Sequence, residues 1–110
     1  MALNFTTSKP SDLLDAFKKA IDRGHVDTWS YDNVGDFTHT PIQWKNLAWL
    51  RPKVQLGKLV FNIIRPQNQK ISSEVYAVYH GRFIESMVRH CDTLFSEGNA
   101  SAMPIIGDLV

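Results

Sequence analysis

Four histidines and one cysteine are the side chains of this 110-residue chain that titrate nearest neutral pH, bind metals or act as nucleophiles. His90 and Cys91 are adjacent, so on a helix they point about 100° apart and do not chelate one ion together. His80 and Cys91 share a helix face but lie about three turns from each other. His25 and His39 can approach across a hairpin, near Asp27 or Asp36. None of these sets has the close spacing of a zinc site. Each histidine is therefore read as structural, and Cys91 as a small core residue. Asp27, Asp32 and Asp36 cluster around one hairpin, where turns favour Asp for backbone reasons alone. Gly35, Gly57 and Gly81 form no phosphate-binding loop. No catalytic residue, metal ligand or cofactor is assigned.

The remaining chemistry lies in cations interleaved with aromatics: Trp44-Lys45, Trp49-Leu50-Arg51, Lys53 and Lys58. Stacking aromatics and backbone-tracking cations are what a single-stranded nucleic acid requires. The net charge of +1 conceals a segregation. Residues 1–36 hold four basic and six acidic side chains, whereas residues 37–73 hold six basic and no acidic ones. Residues 74–110 return to two basic and five acidic. A basic middle between acidic ends marks either an anion site or charge matching between layers of the fold.

The elements that must position these residues follow from the apolar pattern. Leu59-Val60-Phe61-Asn62-Ile63-Ile64 is short and rich in β-formers, and is expected as a central strand covered on both faces. Pro66-Gln67-Asn68-Gln69 is the connecting loop, and Ser72 fits an N-cap. Tyr76, Tyr79, His80, Phe83, Ile84, Met87, Val88, Cys91, Leu94 and Phe95 then recur at helical spacing, in a stripe wide enough to lie across a sheet. Gly81 within this helix costs about 1 kcal/mol relative to Ala, which points to a close contact or a kink.

A first helix is expected from Pro10, with Leu13, Leu14, Phe17, Ala20 and Ile21 on one face and Gly24 as its left-handed stop. His25 to Tyr31 and Phe37 to Thr40 read as strands around an Asp32-Asn33-Val34-Gly35 turn. Pro41 to Arg51 fits neither period; an extended crossing into a strand over Leu47 to Val54 is expected, with a short helix over Pro41–Ala48 as the alternative. Pro52 belongs near an edge or bulge. Gln55-Leu56-Gly57-Lys58 turns back into the central strand.

One α+β domain over residues 1–110 is therefore expected, in the order helix, four strands, helix. The sheet is mostly antiparallel with both helices on one face, and residues 1–9 and 98–110 are flexible termini. This order resembles the double-stranded-RNA-binding domain in topology alone. Ser72-Ser73-Glu74-Val75 stands where such domains carry a basic cluster, so no family is assigned. A 44% hydrophobic content argues against global disorder. A single cysteine suits a reducing compartment. Met1 to Pro10 has no apolar core of signal-peptide length, and no stretch reaches the roughly 20 apolar residues that span a bilayer. A cytoplasmic protein without membrane contact is the expectation.

Three functions are compatible with these residues. The first is a small non-catalytic binding protein with an unidentified macromolecular partner or a second copy of itself, using an exposed aromatic patch. The second is a small-ligand carrier or enzyme for an acidic molecule, in a pocket between sheet and helix beside His39 or His80. The third is a single-stranded nucleic-acid binder using the basic 45–58 segment. The candidates for anion or partner binding are Trp44, Lys45, Trp49, Arg51, Lys53 and Lys58.

Overall fold

A computed structural model describes residues 2–110. The chain runs β1 (Leu3–Thr6), α1 (Pro10–Asp22), β2 (Trp29–Tyr31), β3 (Phe37–His39), β4 (Trp49–Gln55), β5 (Lys58–Ile64), α2 (Ser73–Cys91) and β6 (Glu97–Ala100). The strands form one sheet in the order β2-β3-β4-β5-β1-β6, with every neighbouring pair antiparallel. The class is α+β, but with six strands where four are expected from the sequence.

Local chemistry accounts for most boundaries. In α1, Leu13 and Phe17 are buried one turn apart, and the amides of Arg23 and Gly24 return to the carbonyls of Lys19 and Ile21. Gly24 ends the helix at φ +77°, a conformation that favours glycine. Ser72 Oγ accepts from the Val75 amide at 3.1 Å and caps α2. Tyr76, Tyr79, Phe83, Met87 and Cys91 then face the core at helical spacing, while Val88 points outward. The Asp32 turn closes through the amides of Val34 and Asp36, both donating to Asp32 Oδ1. Gly81 is not held by packing, because a Cβ there meets nothing within 4 Å.

The two missing strands lie in the segments expected as flexible termini. β1 pairs with β5 as Leu3↔Phe61 and Phe5↔Leu59, and β6 pairs with the other edge of β1 as Leu3↔Ala100 and Phe5↔Gly98. Gly98 permits this pairing, since a Cβ there would stand 2.8 Å from the Phe5 ring. Beyond β6 the tail is tied down as well: the Leu109 amide donates to the Ile63 carbonyl at 2.9 Å, and the Arg65 amide to the Leu109 carbonyl at 2.7 Å.

The ambiguous stretch after Pro41 is neither an extended crossing nor a helix. The amides of Trp44 and Lys45 donate to the Pro41 carbonyl, and Asn46 at φ +60° redirects the chain into β4. Pro52 sits inside β4 rather than at its end, yet β3 pairs with β4 only through Phe37↔Leu50. Past that pair β4 has β5 as its one neighbour, so the missing proline N–H costs no ladder bond on that side.

Strand alternation divides the sheet into two faces. Leu3, Phe5, Phe37, Leu50, Leu59, Phe61 and Ile63 join the apolar faces of α1 and α2 in one core. Phe83 is its hub, with its ring 4.7–6.2 Å from those of Phe5, Phe17, Trp29, Phe37 and Phe61. Both helices thus cover one face. The radius of gyration is 12.9 Å, close to the roughly 13 Å of a compact 100-residue domain. Among the described residues no helix is long and apolar enough to cross a membrane.

Candidate binding surface

The face of the sheet away from the helices collects the other half of each strand. On β4 these residues are Trp49, Arg51, Lys53 and Gln55; directly opposite them on β5 stand Ile64, Asn62, Val60 and Lys58. Four of the six cation and aromatic candidates, Trp49, Arg51, Lys53 and Lys58, therefore share one surface. Arg51 and Lys53 are two residues apart on one strand, about 7 Å. Lys53 and Lys58 are diagonal neighbours across the hairpin, again about 7–8 Å apart. Arg51 and Lys53 are exposed, and Trp49 and Lys58 are half-buried. On this face β5 has no exposed residue: Val60, between Asn4 and Lys53 in register, is fully buried, and Lys58, Asn62 and Ile64 are half-buried, with the Ile106–Asp108 turn bonded to Asn62.

The acids that reach this side stand at its margins. Asp36, just before β3, accepts from Arg51 Nε at 3.1 Å and from Nη2 at 2.9 Å. This is the single salt bridge among the described residues, and it pushes the Arg51 pKa further up. Asp108 accepts from Asn62 Nδ2 at 2.7 Å and from the amides of Ile63 and Ile105. Glu97 lies beyond β1, on β6. Lys53 and Lys58 form no ion pair among the described residues. An open groove of about 690 Å³ runs beside Lys53, between Asn62 and the Ile105-Ile106-Gly107 turn.

The remaining candidates lie elsewhere. Trp44 packs against the helix-side core with the Arg82 guanidinium 5.6 Å over its ring, and Lys45 is exposed on the turn beside it. His39 is 3% exposed and stacks on Trp29 at 4.5 Å. Its Nδ1 lies 2.7 Å from the Thr28 carbonyl, so the proton sits there and Nε2 accepts from Arg82 Nη1 at 3.3 Å. His80, also 3% exposed, donates from Nδ1 to the Tyr76 carbonyl at 2.6 Å. Its Nε2 has no partner among the described residues. Burial lowers both histidine pKa values, against the raising effect of those carbonyl bonds. The space between helices and sheet around them is filled by aromatic rings, and neither histidine lines a described groove. Cys91 is a buried free thiol whose pKa is raised by burial.

Sequence reasoning missed two features. The Asp36–Arg51 pair joins the residue before β3 to one on β4 and carries no local signal. A cleft of about 210 Å³ brings His25, Asp27, Glu85, Ser86, Arg89 and His90 together. Along the chain, His25 with Asp27 and Glu85-Ser86 with Arg89-His90 are visible as two local groups; that they face each other is not. The cleft mixes both charges, and among the described residues no group of three or more His, Cys, Asp or Glu side chains is placed to hold a metal ion. No family model, no curated protein and no solved structure matches this chain.

Proposed function

We propose that this chain is a non-catalytic binding protein whose working surface is the face of the sheet away from the helices and whose partner is a polyanion. One observation carries the reading: Trp49, Arg51, Lys53 and Lys58 share the face away from the helices, and neither β4 nor β5 contributes an acid to it. Lys53 and Lys58 stand close without a counter-charge, an arrangement whose repulsion a bound anion relieves. Three of the six cations of the acid-free segment, Arg51, Lys53 and Lys58, thus stand on this face.

The same geometry weakens the other two readings. The aromatic patch invoked for a dimer is largely absent, because the rings are spent on the core; Trp29, for example, is 1% exposed. Beside His39 the space invoked for a small acidic molecule is filled by the Trp29 and Tyr79 rings, and His80 stacks on Tyr76.

Retention on immobilised polyphosphate tests the proposal. The native protein is expected to bind at low salt and to release as salt rises. Lys53→Glu with Lys58→Glu is expected to abolish retention, with the melting temperature measured alongside; Lys53→Glu alone, at an exposed position, should weaken retention and move stability by about 0.5 kcal/mol or less. Equal retention of the native protein and the double variant, or none of the native protein, would overturn the reading.

A further inference from the structure

We infer that the polyanion is a single-stranded nucleic acid, with a base stacked on Trp49 and the phosphates tracking Arg51, Lys53 and Lys58. This rests on the reading above and adds the class of partner. A polyanion without bases needs only the cations. What singles out a nucleic acid is the tryptophan on the same face. Trp49 lies outside the helix-side core cluster and is half-buried opposite Ile64, so the ring is seated against the sheet and still accessible. A seated aromatic beside Arg51, which Asp36 already engages, and the unpaired Lys53 and Lys58 offers the two things an extended strand requires at each step, a π-face and cations for its phosphates. The spacing of about 7 Å from Arg51 to Lys53 is comparable to one step of such a strand.

The groove beside Lys53 gives a second base a place to lie. Its wall is apolar, with Ile106 96% exposed, and its floor is the side chain of Asn62. That amide is already engaged, donating to Asp108 Oδ1 and, at 3.4 Å, to the Ile106 carbonyl. Stacking without a dedicated reader of base edges gives binding that tolerates any sequence. A duplex fits less well, because its base faces are hidden within the helix and cannot reach Trp49.

The test uses fluorescence anisotropy with four labelled probes of equal length: an oligothymidylate, an abasic phosphodiester strand, a DNA duplex and polyphosphate. The thymidylate is expected to bind about ten-fold tighter than the abasic strand. Trp49→Ala should remove that advantage, with the melting temperature measured alongside. The comparison of the two strands on the native protein stands even if that variant does not fold. Lys53→Ala with Lys58→Ala should flatten the slope of log K against log salt by about 1.4. Equal binding of thymidylate and abasic strand, or tighter binding of duplex, overturns this inference while the polyanion reading stands. Absence of binding to every probe at low salt overturns both.

Discussion

The two faces of the sheet are built from alternate residues of the same strands, yet they obey different rules. The helix-side face carries Leu50, Leu59, Phe61 and Ile63, all fully buried or nearly so, locked under Phe83. The opposite face carries Arg51, Lys53, Lys58 and Asn62 from the same two strands, with Val60 as its one fully buried member. One face is determined by packing, where a lost methylene is felt; the other tolerates change in fold and is free to specialise. A strand of seven residues such as β4 can serve both ends at once, because alternation keeps them apart.

The sharpest way to break this comparison is to truncate the hub. Phe83→Ala removes a fully buried ring in contact with five others, and is expected to cost about 3–5 kcal/mol, whereas Lys53→Ala should stay within about 0.5 kcal/mol. Urea denaturation of both variants checks the contrast.

A second effect separates the buried histidines from the exposed charges. Burial holds the pKa values of His39 and His80 below 6.5 in the fold, so the unfolded chain takes up protons first as pH falls. Their contribution is complete above about pH 6.5 and is lost progressively as pH drops below that value towards the lowered native pKa values. The urea midpoint is expected to be flat from pH 8 to 7 and to fall between pH 6.5 and 5. Replacing His39 by Gln should reduce that fall; an unchanged profile in both His39→Gln and His80→Gln would contradict the assignment.

The smallest effect concerns the solvent side of α2. Gly81→Ala meets open space and gains helix propensity, so it should stabilise the protein by about 1 kcal/mol in a thermal melt.

Where the sequence was legible, the signal was local. Ser72, Gly24 and the Asp32 turn act on neighbours within a few residues, and each sits where the spacing predicts. The strands that escaped detection are four residues long and take their meaning from partners far along the chain. Leu3-Asn4-Phe5-Thr6 alternates too briefly to stand out, and Glu97-Gly98-Asn99-Ala100 lacks β-formers altogether. Gly98 is there because Phe5 occupies the space above it, which no local pattern records. At the candidate site, Arg51 and Lys53 share a face by strand alternation, a local rule. Trp44 and Trp49 could not be sorted, since the left-handed Asn46 between them decides which surface each one meets.

The central claim, that the face of the sheet away from the helices is the working surface, is tested most directly by an NMR titration of the labelled protein with polyphosphate at low salt. The account predicts amide shifts concentrated at Arg51, Lys53, Lys58 and Val60 along the β4–β5 hairpin, with α1 and the solvent side of α2 unmoved. Shifts centred on the cleft formed by His25, Arg89 and His90, or no shifts at all, would contradict it.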